Sequence, residues 1–222
     1  MVGIKVGFKS FDEASGGLDL HKIYTVIGNK ESGKEDFLYR MAASSLTDKN
    51  AVVYGTTAKS ASDLINEFNS RNLRVSQYLG KDLSILDDFS KISTPNAQDT
   101  PYSKVLNGPL DLTGLSVALS SVNGDFLKEG RSVIDVIDSV SNLLVYNNPL
   151  TIFRFLQFIC GRSKISGVTS VFALDSEMHT ADVTETIKTM SDGVISLKFE
   201  NGKRYFTLFG TAKEVLNWTE LS

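Results

Sequence analysis

A phosphate-loop pattern with one altered residue constrains the fold of this chain more than any other feature. Residues 28–35 read Gly-Asn-Lys-Glu-Ser-Gly-Lys-Glu, which matches G-x-x-x-x-G-K-[ST] except at the last position. In that pattern the glycines let backbone N–H groups surround phosphate oxygens, the lysine supplies positive charge, and the final hydroxyl binds Mg²⁺. Here a carboxylate, Glu35, replaces the hydroxyl. The chain therefore has the outline of a nucleotide-binding protein, with a change at the position that binds the metal.

The segments on either side of the loop have the patterns that such a loop requires. Residues 23–27 predict a buried strand, and residues 36–45 predict a helix whose N-terminus points at the phosphates. The dipole of that helix adds to the attraction for an anion. The candidate nucleotide-binding residues in the loop are therefore Gly28, Asn29, Lys30, Glu31, Ser32, Gly33, Lys34 and Glu35.

Glu35 could stabilise the helix, repel a nucleotide or bind Mg²⁺. An acidic residue in the first turn of a helix stabilises the helix by ~0.3–1 kcal/mol and needs no ligand to explain it. Beside a triphosphate the same charge repels by ~4 kcal/mol at ~4 Å and an effective dielectric of ~20. An Mg²⁺ ion that bridges Glu35 to the phosphates would reverse the sign of this interaction. For nucleotide binding, the sequence leaves two alternatives open. Either ATP binds weakly or not at all, or it binds together with Mg²⁺ that a carboxylate recruits.

Composition excludes several classes of protein. The 222 residues, 41% of them hydrophobic, suit a single domain over residues 1–222. The net charge of −3 gives no bulk attraction to nucleic acid, so nucleic acid is not an expected partner. One cysteine and two histidines cannot form a zinc site of the usual kinds, and no metal ligand is assigned. The apolar stretches are too short for a membrane helix and no signal peptide is evident, so we expect a cytoplasmic protein without membrane contact.

Strand-like and helix-like segments alternate along the chain, which predicts an α/β protein with a mostly parallel, twisted sheet flanked by helices. Further strands are expected at residues 51–55, 83–86, 132–138 and 168–174, and helices at residues 60–71, 112–127, 149–162 and 182–190. Asn201-Gly202 between two apolar runs predicts a C-terminal β-hairpin. Residues 90–109, polar and with three prolines, are expected to form a surface loop.

Three features are expected at the carboxyl ends of strands, where open α/β sheets bind their ligands. The first is the phosphate loop. The second is Asp138, which ends an apolar strand as the second acid of an NTPase does, where it would bind the water shell of Mg²⁺. An acid at the end of a strand is also a common helix cap. The third is the pair Thr56 and Thr57 after the second strand, which we expect beside the first strand.

Three segments of the chain resemble a known family. Residues 11–18 (Phe-Asp-Glu-Ala-Ser-Gly-Gly-Leu), followed by the strand and the loop, resemble the opening of the KaiC-like, RecA-superfamily ATPases of archaea and bacteria. Residues 136–144 resemble the second acidic motif of that family, and residues 190–195 resemble the entry to its late hairpin. The similarity spans most of the chain and fails mainly at residues 90–109. It implies a RecA-like P-loop NTPase core whose ATP site often lies between neighbouring subunits.

Two positions depart from the pattern of the family. Gly28, Gly33 and Lys34 match its phosphate loop and Asp138 matches its acidic strand end, but Glu35 replaces the Mg²⁺-binding hydroxyl. Threonines at positions 56 and 57 stand where active members carry one or two glutamates that activate the attacking water. A threonine hydroxyl does not ionise near neutral pH and cannot serve as the general base. No catalytic residue is therefore assigned, and Mg²⁺ is expected only if Glu35 or Asp138 recruits it.

The sequence favours a non-hydrolysing regulatory or signalling protein that acts through protein partners. The first alternative is a slow Mg-ATP-dependent ATPase, in which Glu35 holds Mg²⁺ and Glu31 or Asp175 assists. The second is a recombination accessory protein related to RecA and RadA, which the negative net charge argues against.

The expected assembly is a monomer or loose dimer rather than a nucleotide-driven hexamer. In the resembling family one subunit contributes positive charge to the phosphates of its neighbour, and without a well-bound triphosphate that bridge is missing. Lys203 and Arg204 on the predicted hairpin are the candidates for this charge. The alternative is that they are two solvated charges on a turn.

Overall fold

The computed structural model describes residues 3–222, and one sheet runs through all of this part of the chain. Its strands are β1 (Ile23–Ile27), β2 (Ala51–Thr56), β3 (Leu83–Asp87), β4 (Ser103–Val105), β5 (Val133–Asp138), β6 (Thr169–Leu174), β7 (Gly193–Glu200), β8 (Lys203–Phe209) and β9 (Val215–Glu220). Its helices are α1 (Lys9–Ser15), α2 (Lys34–Thr47), α3 (Ala61–Ser70), α4 (Ser90–Ser93), α5 (Leu112–Lys128), α6 (Val140–Tyr146), α7 (Pro149–Ser166) and α8 (Ala181–Thr189).

The strand order across the sheet is β4-β3-β2-β5-β6-β1-β7-β8-β9. The strands from β4 to β7 pair in parallel, whereas β8 and β9 are antiparallel to their neighbours. The predicted hairpin forms between β7 and β8, with both turn residues, Asn201 and Gly202, at positive φ, as a tight two-residue turn requires. The α/β class, the mostly parallel sheet and the C-terminal hairpin are therefore confirmed.

The sheet separates two hydrophobic cores because successive side chains of a strand point to opposite faces. On β2, Val52 and Tyr54 belong to the core that contains residues of α2 and α3. Ala51 and Val53, on the same strand, belong to the core that contains residues of α5 and α7. Both faces of the central strands are therefore covered, which accounts for their continuous apolar runs.

The expectation that the second strand lies beside the first is wrong. β2 lies between β3 and β5, so β5 and β6 separate it from β1. Thr56 is aligned with Asp138 on β5 and not with the strand that precedes the phosphate loop. The local pattern of a parallel strand indicates that it is buried, but its neighbours depend on how the crossover helices pack.

Residues 90–109, expected as a surface loop, instead contain α4 and the edge strand β4. Ser103 on β4 is buried and is aligned with Ile85 on β3. The strand has only three residues, so it carries no periodic signal, and its hydrogen bonds to β3 define it.

Among the helices of residues 3–222, none combines the length and apolarity needed to cross a membrane.

Candidate functional site

The phosphate loop connects β1 to α2 at the carboxyl edge of the sheet. Residues Lys30–Ser32 form a single 3-10 turn, and Gly33 follows in the left-handed conformation with φ of 82°. The helix α2 begins at Lys34, and in the described part of the chain no side chain caps its start. The free N–H groups of its first turn and the positive end of its dipole are available to an anion.

Arg204 of β8 lies beside Gly33. A Cβ atom on Gly33 would come within 2.6 Å of Arg204 Nε, which the flexible arginine could relieve by moving, whereas the positive φ favours glycine here. Arg204 Nη1 donates a hydrogen bond of 3.3 Å to Asp36 Oδ2, and Lys203 Nζ donates one of 2.7 Å to Glu220 Oε2. Arg204 and Lys203, which were candidates for contacting the phosphates of a neighbouring subunit, therefore both have partners within this chain.

The side chain of Asn29 forms hydrogen bonds within the phosphate loop and to the segment after β6. Its Oδ1 accepts a hydrogen bond of 3.1 Å from the backbone N–H of Ser32, and its Nδ2 donates one of 2.8 Å to Glu177 Oε1. The Ser32 hydroxyl is also committed, because it donates to the Asn29 carbonyl at 2.6 Å. At least one backbone N–H of the loop is thus used by a side chain of the protein itself.

Lys34 is buried and has an acidic partner. Its Nζ lies 3.6 Å from Asp175 Oδ2. Asp175 comes directly after β6, the strand that pairs with β1, so the topology places it next to the loop. The backbone N–H of Asp175 donates to Ser141 Oγ at 2.7 Å, and Asp175 Oδ1 accepts from the backbone N–H of Glu177 at 2.9 Å. These bonds hold the carboxylate against the loop lysine.

Glu35 is half-exposed and is also paired. Its Oε2 lies 3.6 Å from Lys59 Nζ, which in turn donates a 2.7 Å hydrogen bond to the hydroxyl of Tyr39. Lys59 lies just after β2 and belongs to no motif, so sequence reasoning did not identify it. Its charge offsets part of the repulsion that Glu35 would exert on a phosphate.

Asp138 ends β5 and is buried. Its Oδ2 accepts a 2.8 Å hydrogen bond from the hydroxyl of Tyr54. Burial raises the pKa of Asp138 above its usual value, the bond from Tyr54 opposes this rise, and the nearby charge of Glu35 adds to it. The carboxyl group is therefore less acidic than a free aspartate.

Thr56 and Thr57 are buried, and both hydroxyls are used in the fold. Thr56 Oγ1 donates to the carbonyl of Lys59 at 2.8 Å. Thr57 Oγ1 donates to the Ser139 carbonyl at 3.0 Å and accepts from the Ser139 N–H at 2.9 Å. The side-chain amide of Asn142 donates to the Thr57 carbonyl as well. Thr57 therefore joins the ends of β2 and β5 and does not line the candidate site.

These elements surround a cavity of about 240 Å³. Of the predicted nucleotide-binding residues, Asn29, Lys30, Lys34, Glu35 and Asp138 line it, whereas Gly28, Glu31, Ser32 and Gly33 shape the loop around it. The charged lining residues are three lysines, Lys30, Lys34 and Lys59, and three acids, Glu35, Asp138 and Asp175. Their formal charges cancel, so the cavity has no net positive charge to attract a triphosphate.

Several groups at the loop that would hold a phosphate or its metal ion already have partners within the chain. A phosphate would have to compete with Asp175 for Lys34 and with Asn29 for the N–H of Ser32. The hydroxyl that binds Mg²⁺ in the loop pattern is replaced by a carboxylate already paired with Lys59. Within residues 3–222 no group of three or more His, Cys, Asp or Glu side chains is arranged to hold a metal ion.

Comparisons with known proteins relate the chain to one family. The model of a family described as the ATPase KaiC matches residues 4–210. The crystal structure of a KaiC-like protein from the hyperthermophilic archaeon Pyrococcus horikoshii OT3 is similar, with a TM-score of 0.70 and 17% sequence identity. The match covers 98% of this chain and 92% of that one, and at this identity it shows a shared fold. No curated protein matches the chain.

Proposed function

We propose that this chain, which belongs to the KaiC family of ATPases, is a regulatory member that does not hydrolyse ATP and acts by binding other proteins. The observation that supports this most directly is the pairing of Lys34 with Asp175 at 3.6 Å. The lysine of a working phosphate loop must be free to bind phosphate oxygens. Here its charge is balanced by the chain itself, so nucleotide binding is weak or absent.

The residues found in place of the water-activating acids support the same conclusion. Hydrolysis needs a group that orients or deprotonates the attacking water. Thr56 and Thr57 cannot ionise near neutral pH, and their hydroxyls are already bonded to Lys59 and Ser139. The loss of this group together with the Mg²⁺-binding hydroxyl leaves the phosphate loop as a structural element of the fold.

One observation favours the first alternative, a slow Mg²⁺-dependent ATPase. Glu35, Asp138 and Asp175 line the same cavity, and carboxylates are good ligands for Mg²⁺. The second alternative, a recombination accessory protein, gains no similar support. The end of α7 carries two basic residues, Arg162 and Lys164, that could contact DNA, but Lys164 is paired with Asp192 at 3.1 Å.

Titration with ATP and ADP, with and without Mg²⁺, tests the proposal. We expect weak or undetectable binding to the native chain and tighter binding to Glu35→Thr, because that change removes a negative charge and releases Lys59. Asp125→Asn is the matched control, since it removes one negative charge at an exposed position on α5 that does not line the cavity. An equal gain in both variants would indicate an effect of net charge and not of the position of Glu35.

Two results would contradict the proposal. Tight Mg²⁺-dependent binding by the native chain, lost in Glu35→Thr, would show that Glu35 is a metal ligand and would favour the slow ATPase. Appreciable hydrolysis by the native chain that Lys34→Ala abolishes would exclude a non-hydrolysing protein.

A further inference from the structure

A second cavity lies between α5 and α7, above β5. It measures about 150 Å³ and shares no lining residue with the cavity of the phosphate loop. Asp135 of β5 lines it together with Asn123 of α5, and Leu119 and Ile159 provide apolar walls. The function proposed above does not use this cavity.

Two buried oxygen atoms in this cavity have no partner. Asp135 is 1% exposed and Asn123 is 9% exposed. Asn123 Nδ2 donates a 2.7 Å hydrogen bond to Asp135 Oδ2. The other oxygens, Asp135 Oδ1 and Asn123 Oδ1, have no hydrogen-bond partner among residues 3–222. Buried polar atoms are nearly always hydrogen-bonded, so two unpaired acceptors beside a cavity indicate that its occupant donates hydrogen bonds.

The other charged residue of the lining is Arg162 on α7. It is exposed, whereas Asp135 is almost fully buried, so the carboxylate lies deeper in the cavity than the guanidinium. The Arg162 guanidinium lies 5.7 Å from the ring centroid of Phe158 and forms no ion pair within the described residues. The lining thus combines one buried acid, one exposed cation and the apolar side chains of Leu119 and Ile159.

We propose that this cavity binds a small zwitterion of the size of a free α-amino acid. Its ammonium group donates hydrogen bonds to Asp135 Oδ1 and Asn123 Oδ1, and its carboxylate faces Arg162. A short apolar side chain packs against Leu119 and Ile159. The volume of about 150 Å³ limits the ligand to a small molecule. A simple ammonium ion could pair only with Asp135, whereas a zwitterion could also place its carboxylate next to the exposed guanidinium of Arg162.

The ionisation of Asp135 predicts how binding depends on pH. Burial raises the pKa of Asp135 to about 7, and the hydrogen bond from Asn123 opposes this rise. The charged groups of the lining are Asp135 on β5 and Arg162 on α7, and α5 contributes none. Because the ammonium group binds the ionised carboxylate, affinity should increase as the pH rises through this pKa and then level off.

Two glycines provide a matched pair of test positions. Gly124 on α5 lines the cavity, and a Cβ atom there would meet nothing within 4 Å. Gly161 on α7 has the same free space but does not line the cavity. A side chain at position 124 can therefore start without a clash at its Cβ atom, so leucine is chosen to reduce the space in the cavity, and leucine at position 161 controls for the change in helix propensity.

Calorimetric titration of the full chain with free alanine tests the proposal. Ethylamine, which lacks the carboxylate, and propionate, which lacks the ammonium group, are the comparison ligands. We expect alanine to bind, ethylamine to bind more weakly and propionate not to bind. Asp135→Asn and Gly124→Leu should each lower the affinity for alanine by about tenfold or more, and Gly161→Leu should leave it unchanged.

Three results would overturn the proposal. If alanine does not bind at any concentration up to its solubility limit, the cavity holds only water. If Asp135→Asn and Gly124→Leu both bind alanine as the native chain does, the amino acid binds elsewhere. If ethylamine binds more tightly than alanine, the ligand is a cation and not a zwitterion. Circular dichroism checks folding, and if Asp135→Asn does not fold, Gly124→Leu decides the question.

Discussion

The ammonium group of Lys34 lies 3.6 Å from a carboxylate oxygen of Asp175, so the lysine of the phosphate loop has an anionic partner within its own chain. Lys34 is buried and only 19% of the Asp175 side chain is exposed, so solvent screens this pair less than a surface pair. A second pair, Glu35 with Lys59, lies in the same cavity. Each of these two pairs joins a charged residue of the phosphate-loop pattern to a charged residue from another part of the chain.

Asp175→Asn should increase the affinity for ADP. The change removes the charge that competes for Lys34, and the amide oxygen can still accept the hydrogen bond from Glu177. Charges at this spacing interact by up to ~4 kcal/mol at an effective dielectric of ~20, and about 1.4 kcal/mol corresponds to tenfold, so we expect a gain on the order of tenfold. Equilibrium dialysis with ADP measures it. Asp125→Asn, at an exposed position on α5, is the control, and an equal affinity in all three proteins would show that Asp175 does not limit binding.

Thr57→Glu should destabilise the protein and should not restore activity. The glutamate would place a carboxylate at a fully buried position and remove both hydrogen bonds to Ser139. We expect the free energy of unfolding to fall by about 2 kcal/mol or more. Thr57→Ser keeps the hydroxyl and loses one buried methyl group, so it should cost about 1 kcal/mol. Denaturant unfolding compares the two variants, and equal losses would contradict a role for the hydroxyl.

Asp88 should make stability depend on pH. This residue is fully buried after β3, and burial raises its pKa to about 7; the N–H of Gly108 opposes the shift, and Asp111 and Asp87 add to it. An aspartate in an unfolded chain has a pKa near 4, so between about pH 4 and 7 the folded state binds more protons. The contribution of Asp88 to the free energy of unfolding therefore falls as the pH rises through this window and is constant above it.

Asp88→Asn isolates this contribution from that of other groups. The stability of the variant relative to the native chain should increase between about pH 4 and 7 and then level off. Denaturant unfolding at a series of pH values measures the difference, with the exposed Asp125→Asn variant as control. A difference that does not change with pH would show that Asp88 is ionised in the folded protein throughout this range.

The chain should be a monomer or loose dimer, with or without ATP. Arg204 and Lys203 on the β7–β8 hairpin are paired with Asp36 and Glu220 of the same chain, so each cation has an anionic partner without a neighbouring subunit. A nucleotide that binds weakly also adds little to assembly by mass action. Light scattering with and without Mg-ATP measures the size of the particles. A stable ring in either condition would refute this prediction.

Local sequence patterns predicted most of the secondary structure because each pattern is a property of a few adjacent residues. The apolar run of β1, the glycines of the phosphate loop and the Asn-Gly turn of the β7–β8 hairpin each dictate a local backbone conformation. The elements that were missed lack such patterns: α1 and α6 have seven residues each, α4 has four, β4 has three, and β9 is mostly exposed. Tertiary contacts define these elements.

The sequence by itself determined the phosphate loop, the replacement at Glu35 and the acid at the end of β5, because these depend on residue identity and short spacing. Only the tertiary structure decided which charges meet. Lys34 and Asp175 are far apart in the chain and meet because β6 pairs with β1, and Lys59 reaches Glu35 from the end of β2. The cavity beside Asp135 likewise exists only where α5 and α7 pack over β5. Strand order and helix packing follow from the burial of apolar surface by the whole chain, and no local pattern encodes them.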